Sequence, residues 1–178
     1  MQKRSAGILI AITVAAVAAI VVAQQNKPAS PPGEATLKFA DGKTVTIEYS
    51  RPSMRGRKIF GGLVPYGEVW RTGANAATSL KTDVALNIGG ANVPAGSYTL
   101  YTLPEMSSWK LIINKQTGQW GTEYSQGQDL DRVNMKITER PSALELFTIS
   151  FDKTGSDSAV LKLEWDTTIA SVDVKEKK

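Results

Sequence analysis

Hydrophobic and polar residues alternate with a period of two through most of the chain beyond residue 43. In KTVTIEYS, Val45, Ile47 and Tyr49 share one face, while Thr44, Thr46 and Glu48 share the other. WKLII alternates through Trp109, Leu111 and Ile113, and RVNMKITE through Val133, Met135 and Ile137. ELFTISF alternates through Phe147, Ile149 and Phe151, and AVLKLEW through Ala159, Leu161, Leu163 and Trp165. TIASVDV closes the chain with Ala170, Val172 and Val174. Successive side chains of a strand point to opposite faces, so this pattern predicts half-buried strands. The joints agree. In NVPAGSY, Pro94 suits the second position of a type I turn with Gly96 at the fourth. DKTGSDS carries a glycine and polar turn formers. No stretch after residue 23 has a convincing helical period; SALEL can hold at most a short helix, and a turn can form after Gly118. The expected class is all-β, with about ten short antiparallel strands in a β-sandwich or jelly-roll-like domain and barrel closure as the alternative.

The N-terminus breaks this pattern. Lys3 and Arg4 precede Ala6 to Ala23, a run without charge whose one polar residue is Thr13. A basic start, an apolar run and small residues at Val21 and Ala23 predict a signal peptide cut before Gln24. The rival is an uncleaved anchor: the run's 18 residues would span ~27 Å as a helix, close to a bilayer core. Either reading puts the rest of the chain outside the cytoplasm, periplasmic or secreted if cut, membrane-anchored by residues 6–23 if not. The polar, Pro-rich QQNKPASPPG, residues 24–33, reads as a linker. The expected organisation is therefore 1–23 signal or anchor helix, 24–33 linker, and 34–178 β domain.

Composition narrows the chemistry. With no Cys there are no disulfides, and with no His the commonest metal ligand and neutral-pH base is missing. Ser-His-Asp catalysis and Cys- or His-ligated zinc are excluded. All 17 acids and 19 of the 21 basic residues follow Ala23, leaving the body at +2 (19 − 17), which is no nucleic-acid signature. Asp129 with Asp131, and Asp152 with Asp157, could hold Ca²⁺ loosely, but neither forms an EF-hand-like series. No cofactor, metal ligand or catalytic residue is assigned.

One segment stands apart. RPSMRGRKIFGGLVPYGEVWRTGANAAT, Arg51 to Thr78, has five basic residues against one acid, many glycines and almost no regular period. Guanidinium groups present a planar fork of donors suited to carboxylate, phosphate or sulfate. A neighbouring Trp offers a stacking face for a sugar or aromatic ring. A loop this long also needs fixing, and its arginines could do that by bonding loop carbonyls or pairing with Glu48, Glu68 or Asp129. Phe60, Leu63, Val64 and Trp70 could form a satellite core beneath it. NKQTGQWGTEYSQGQD, with Trp120 and Tyr124, could meet the arginine loop or simply cap the sheet.

EYSRPSMRGRKIFGGLVPYGEVWRTGANAAT, VPAGSYTLYTLP, WKLIINK, QWGTEY and DRVNMKI, in that order, together resemble the DUF2911 family of exported bacterial proteins of unknown function. The resemblance runs from Glu48 to Val174. The family's characteristic positions fall on Arg51, Pro52, Gly56, Arg57, Phe60, Gly61, Trp70, Arg71, Gly73, Asn75, Pro94, Gly96, Trp120, Gly121 and Arg132. It implies no activity and no catalytic residue.

The leading expectation is a pocket for a small anionic or carbohydrate-like ligand. Arg51, Arg55, Arg57 and Arg71 supply charge, Trp70, Trp120 and Tyr124 aromatic walls, and Asn75 directional hydrogen bonds. Arg51, Arg57 and Arg71 are expected to converge on the Trp70–Asn75 turn, at least one of them paired with an acid. The alternative is a structural or protein-interaction module of the cell envelope with internally paired arginines. The third reading is a hydrolase with two carboxylates about 5–10 Å apart. An edge strand could support dimerisation, but no pattern requires it.

Overall fold

The computed structural model describes residues 29–177. The apolar segment 6–23, and the signal, anchor and helix expected there, lie outside the described residues. Among the described residues no helix is long and apolar enough to cross a membrane.

Nine strands form the domain: β1 (Pro32–Lys38), β2 (Thr44–Ser50), β3 (Thr78–Thr82), β4 (Leu86–Ile88), β5 (Ala91–Val93), β6 (Gly96–Pro104), β7 (Trp109–Asn114), β8 (Asp129–Lys153) and β9 (Ser158–Glu176). They make one antiparallel sheet in the order β1-β2-β3-β6-β7-β8-β9-β4-β5. The alternating residues read from the sequence line the core: Val45, Ile47, Tyr49, Trp109, Leu111, Ile113, Phe147, Ile149, Leu161, Leu163, Trp165, Val172 and Val174 are all buried.

The strand count is nine rather than about ten because two pairs of expected strands are single long ones. RVNMKITE and ELFTISF both lie in β8, and AVLKLEW and TIASVDV both lie in β9. SALEL is part of β8, and the only helical turn among the described residues is the 3-10 turn Gln126–Gln128. β1 begins at Pro32, inside the stretch expected as linker.

β8 changes partner along its length. Asp129 to Met135 pair with β7, and Lys136 to Lys153 pair with β9. The sheet thereby folds over so that its two halves face each other, and β1 packs against β8. Tyr49 of β2 sets its ring edge-on to Phe147 of β8, centroids 5.6 Å apart. The Tyr49 hydroxyl accepts from Ile149 N at 2.8 Å. The chain leaving β2 then seals this side: Ser53 bridges Leu146, with Phe147 N donating to Pro52 O at 3.0 Å and Met54 N to Glu145 O at 2.9 Å. Between the halves lies an aromatic group. Trp70 stacks on Trp165 at 5.8 Å, and Phe60 meets Trp109 edge-on at 4.6 Å. Ile59, Phe60 and Val64 join this main core rather than a satellite one, while Leu63 is exposed.

Candidate functional site: an arginine-lined cleft

The connection from β2 to β3 is long and irregular, yet it is pinned to the sheet. Trp70 bridges Thr102 of β6 through bonds of 2.8 and 2.9 Å, Gly67 N donates to Pro104 O at 2.8 Å, and Ala76 bridges Trp120. Arg55 (φ 51°), Thr72 (φ 54°) and Asn75 (φ 61°) are left-handed, three of the four such non-glycine residues described. This conformation is unusual for any L residue and an outlier for β-branched Thr72. Thr72 is held there by burial and by its carbonyl, which accepts from Thr78 Oγ1 at 2.7 Å. Backbone strain that packing holds in place concentrates at functional sites.

The pinned connection walls a cleft of about 280 Å³, with Arg55, Arg57 and Arg71 on its sides and Trp70 and Trp165 among its lining; no acid lines it. Arg57 is positioned by its own turn, donating from Nε to Met54 O (2.9 Å) and from Nη2 to Ser53 O (2.6 Å). Arg55 donates from Nη2 to Ala29 O (3.2 Å), while its backbone N donates to the Glu145 carboxylate (2.9 Å). Arg71 differs. Its side chain lies flat on Gly121, where an added Cβ would sit 2.1 Å from Arg71 Cδ, and its Nε is buried with no hydrogen-bond partner.

The expected site is only partly assembled here. Arg55, Arg57, Trp70 and Arg71 meet in the cleft. Arg51 does not: its Nε and Nη2 donate to Phe147 O (3.1 Å) and Thr148 Oγ1 (2.9 Å), which ties β2 to β8. Among the described residues none of the four arginines forms a salt bridge, contrary to the expected acid pairing. Backbone carbonyls instead accept from Arg51, Arg55 and Arg57, without a second buried charge. Asn75 contributes its backbone, its carbonyl accepting from Gly121 N at 3.1 Å. Trp120 stands next to this turn through its bridge to Ala76 and is 53% exposed, outside the cleft lining.

Tyr124 belongs to a separate network under the same loop. Its hydroxyl donates to Asp129 Oδ2 (2.7 Å), which also accepts from Arg132 Nε (2.8 Å), while Asn114 Nδ2 donates to Asp129 Oδ1 (2.8 Å). Burial, and then the Asp129 hydrogen bond and charge, push the Tyr124 phenol up to about 12. Asp129 therefore serves Arg132, and Asp152 pairs with Lys162, so each candidate calcium pair has one acid engaged by a cation.

Trp165, Pro52 and Ser53 also line the cleft. Trp165 appears in the sequence as a core position of β9, and alternation carries no mark that its edge ends at a cavity. No curated protein and no solved structure matches the chain. The model of the family described as "Protein of unknown function (DUF2911)" matches residues 30–174, nearly all of the folded body carrying this cleft, and the chain belongs to that family.

Proposed function

We propose that the cleft binds a small anion carrying a carboxylate, phosphate or sulfate group. The observation that carries this is Arg71: it lines a cleft with two further arginines and no acid, and its buried Nε has no acceptor. A buried donor left unpaired costs about 1–3 kcal/mol, and an anion seated beside it would recover that. Like charges held together are costly unless acceptors complete the cluster. The volume, about 280 Å³, is at the small end for ligand sites. Residues 1–23 support placing this site outside the cytoplasm.

Thermal denaturation in sulfate, phosphate, succinate and citrate, each against sodium chloride of equal ionic strength, tests the reading. At least one multivalent anion should raise Tm, because binding to the native state stabilises by mass action. Arg57→Ala should abolish that rise while changing the unliganded stability by under about 1 kcal/mol, as for an exposed position. If no anion raises Tm above its chloride control, the reading fails.

A further inference from the structure

A second cavity lies on the other side of the turn that carries Asn75. Its volume is about 290 Å³, and Glu48, Ser50, Ser79, Thr99 and Gln119 line it together with Ala76. Three of these are cross-strand neighbours: Glu48 pairs with Ser79, and Ser79 with Thr99. Directly paired residues share one face of a sheet, so they form a polar row across β2, β3 and β6.

Gln119 closes the row and is more than nine-tenths buried. Its Nε2 donates to Thr99 Oγ1 (3.2 Å) and Tyr101 OH (3.0 Å). Each of those hydroxyls spends its own proton elsewhere, Thr99 on Gln116 O (2.7 Å) and Tyr101 on Glu123 O (3.1 Å). Both must therefore accept from Gln119, which fixes the amide's orientation. Gln119 Oε1 is left buried without a donor. Only two buried side-chain atoms lack partners among the described residues. One is a donor in the cationic cleft, Arg71 Nε; the other is this acceptor.

We propose that this cavity is a second binding site, for a neutral saccharide. Ligand hydroxyls would donate to Glu48 and Gln119 Oε1, and Trp120 would offer a face to the sugar ring. Trp120 is exposed, follows the lining residue Gln119 in the chain and bridges Ala76, another lining residue. The donors sought are hydroxyls, to meet the hydroxyl-lined polar row of Ser50, Ser79 and Thr99 beside Glu48 and Gln119. The inference does not depend on anion binding in the cleft.

Saturation-transfer NMR with methyl glucoside, methyl mannoside and methyl galactoside tests it. At least one should receive magnetisation from the full chain. Glu48→Ala and Trp120→Ala alter exposed side chains; each should leave the thermal melt unchanged and weaken binding about tenfold, the scale of one hydrogen bond to a charged group for Glu48 and of a lost ring contact for Trp120. Arg57→Ala, which disables the cleft, should leave saccharide binding intact. The proposal is overturned if none of the three glycosides shows transfer, if transfer is unaltered in both variants, or if Arg57→Ala abolishes it.

Discussion

Asn75 shows how a residue's type can be legible while its role is not. The sequence suggests a side-chain amide aimed at a ligand, but the structure uses the backbone: φ is 61° and the carbonyl receives Gly121 N. Asn tolerates the left-handed region better than Ala, and Gly enters it freely. Asn75→Gly should therefore be nearly neutral in urea denaturation, while Asn75→Ala should cost about 1–2 kcal/mol. Equal losses in both would restore a side-chain role. Tyr124 gives a second residue-scale expectation. Its folded pKa, pushed up to about 12, lies above the ordinary phenol value of 10.0 that holds in the unfolded chain. The folded state then holds the proton more tightly. The associated stability is fully present below pH 10 and is lost as pH rises toward 12. Tyr124→Phe should flatten that alkaline loss; stability curves of equal slope over this range for both proteins would contradict it.

At the scale of elements, the buried faces were legible and the strand lengths were not. Alternation through Val133–Ile137 and Phe147–Phe151 marks the two ends of β8, where one face meets the core. Between them Glu139 to Glu145 is largely exposed, and the register shifts twice, so the period-two signal vanishes although pairing with β9 continues. Pro141 adds to the appearance of a break. The reverse happens on β6 and β7. Tyr101 and Ile112 are buried on the face opposite the main core because the 115–128 loop covers them, a tertiary event that no local pattern announces. That loop also sets Gly121 against the arginine segment. A Cβ there would meet Arg71 Cδ at 2.1 Å and Asn75 O at 2.6 Å. Gly121→Ala must displace backbone as well as side chain, at about 1–3 kcal/mol by overpacking. It should also weaken the anion-dependent rise in Tm by moving Arg71. A Gly121→Ala protein as stable as the parent would show that the loop is less tightly fixed than its contacts imply.

For the whole molecule, the question is where the folding unit begins. Reading Gln24 to Gly33 as linker follows from composition, since polar residues, prolines and glycine suit extended, unpaired chain. The structure gives part of that stretch a different task. Pro32 and Gly33 pair with Ser50 and Tyr49, and Arg51 N donates to Pro31 O at 2.8 Å. Proline is admissible there because β1 is the edge strand, whose outer N–H groups have no ladder partner to lose. These pairs also hold the start of the arginine segment in place: Gly33 packs against the Arg51 stem, where an added Cβ would lie 2.7 Å from its Cδ. A chain starting at residue 29 keeps all of these contacts, as does one starting at residue 24. A chain starting at Ala35 loses several edge-strand hydrogen bonds, each worth about 0.5–1.5 kcal/mol. For a domain of this size, a total of about 2 kcal/mol lowers Tm by roughly 4–8 °C. The shorter chain should also respond less to anions, since Arg55 loses its bond to Ala29 O and the cleft loses the Ala29–Ser30 wall. Calorimetry of the three chains, with and without sulfate, separates the effects: equal melting of all three would return residues 29–34 to linker status, and lower Tm with an unchanged sulfate response would detach the edge strand from the cleft.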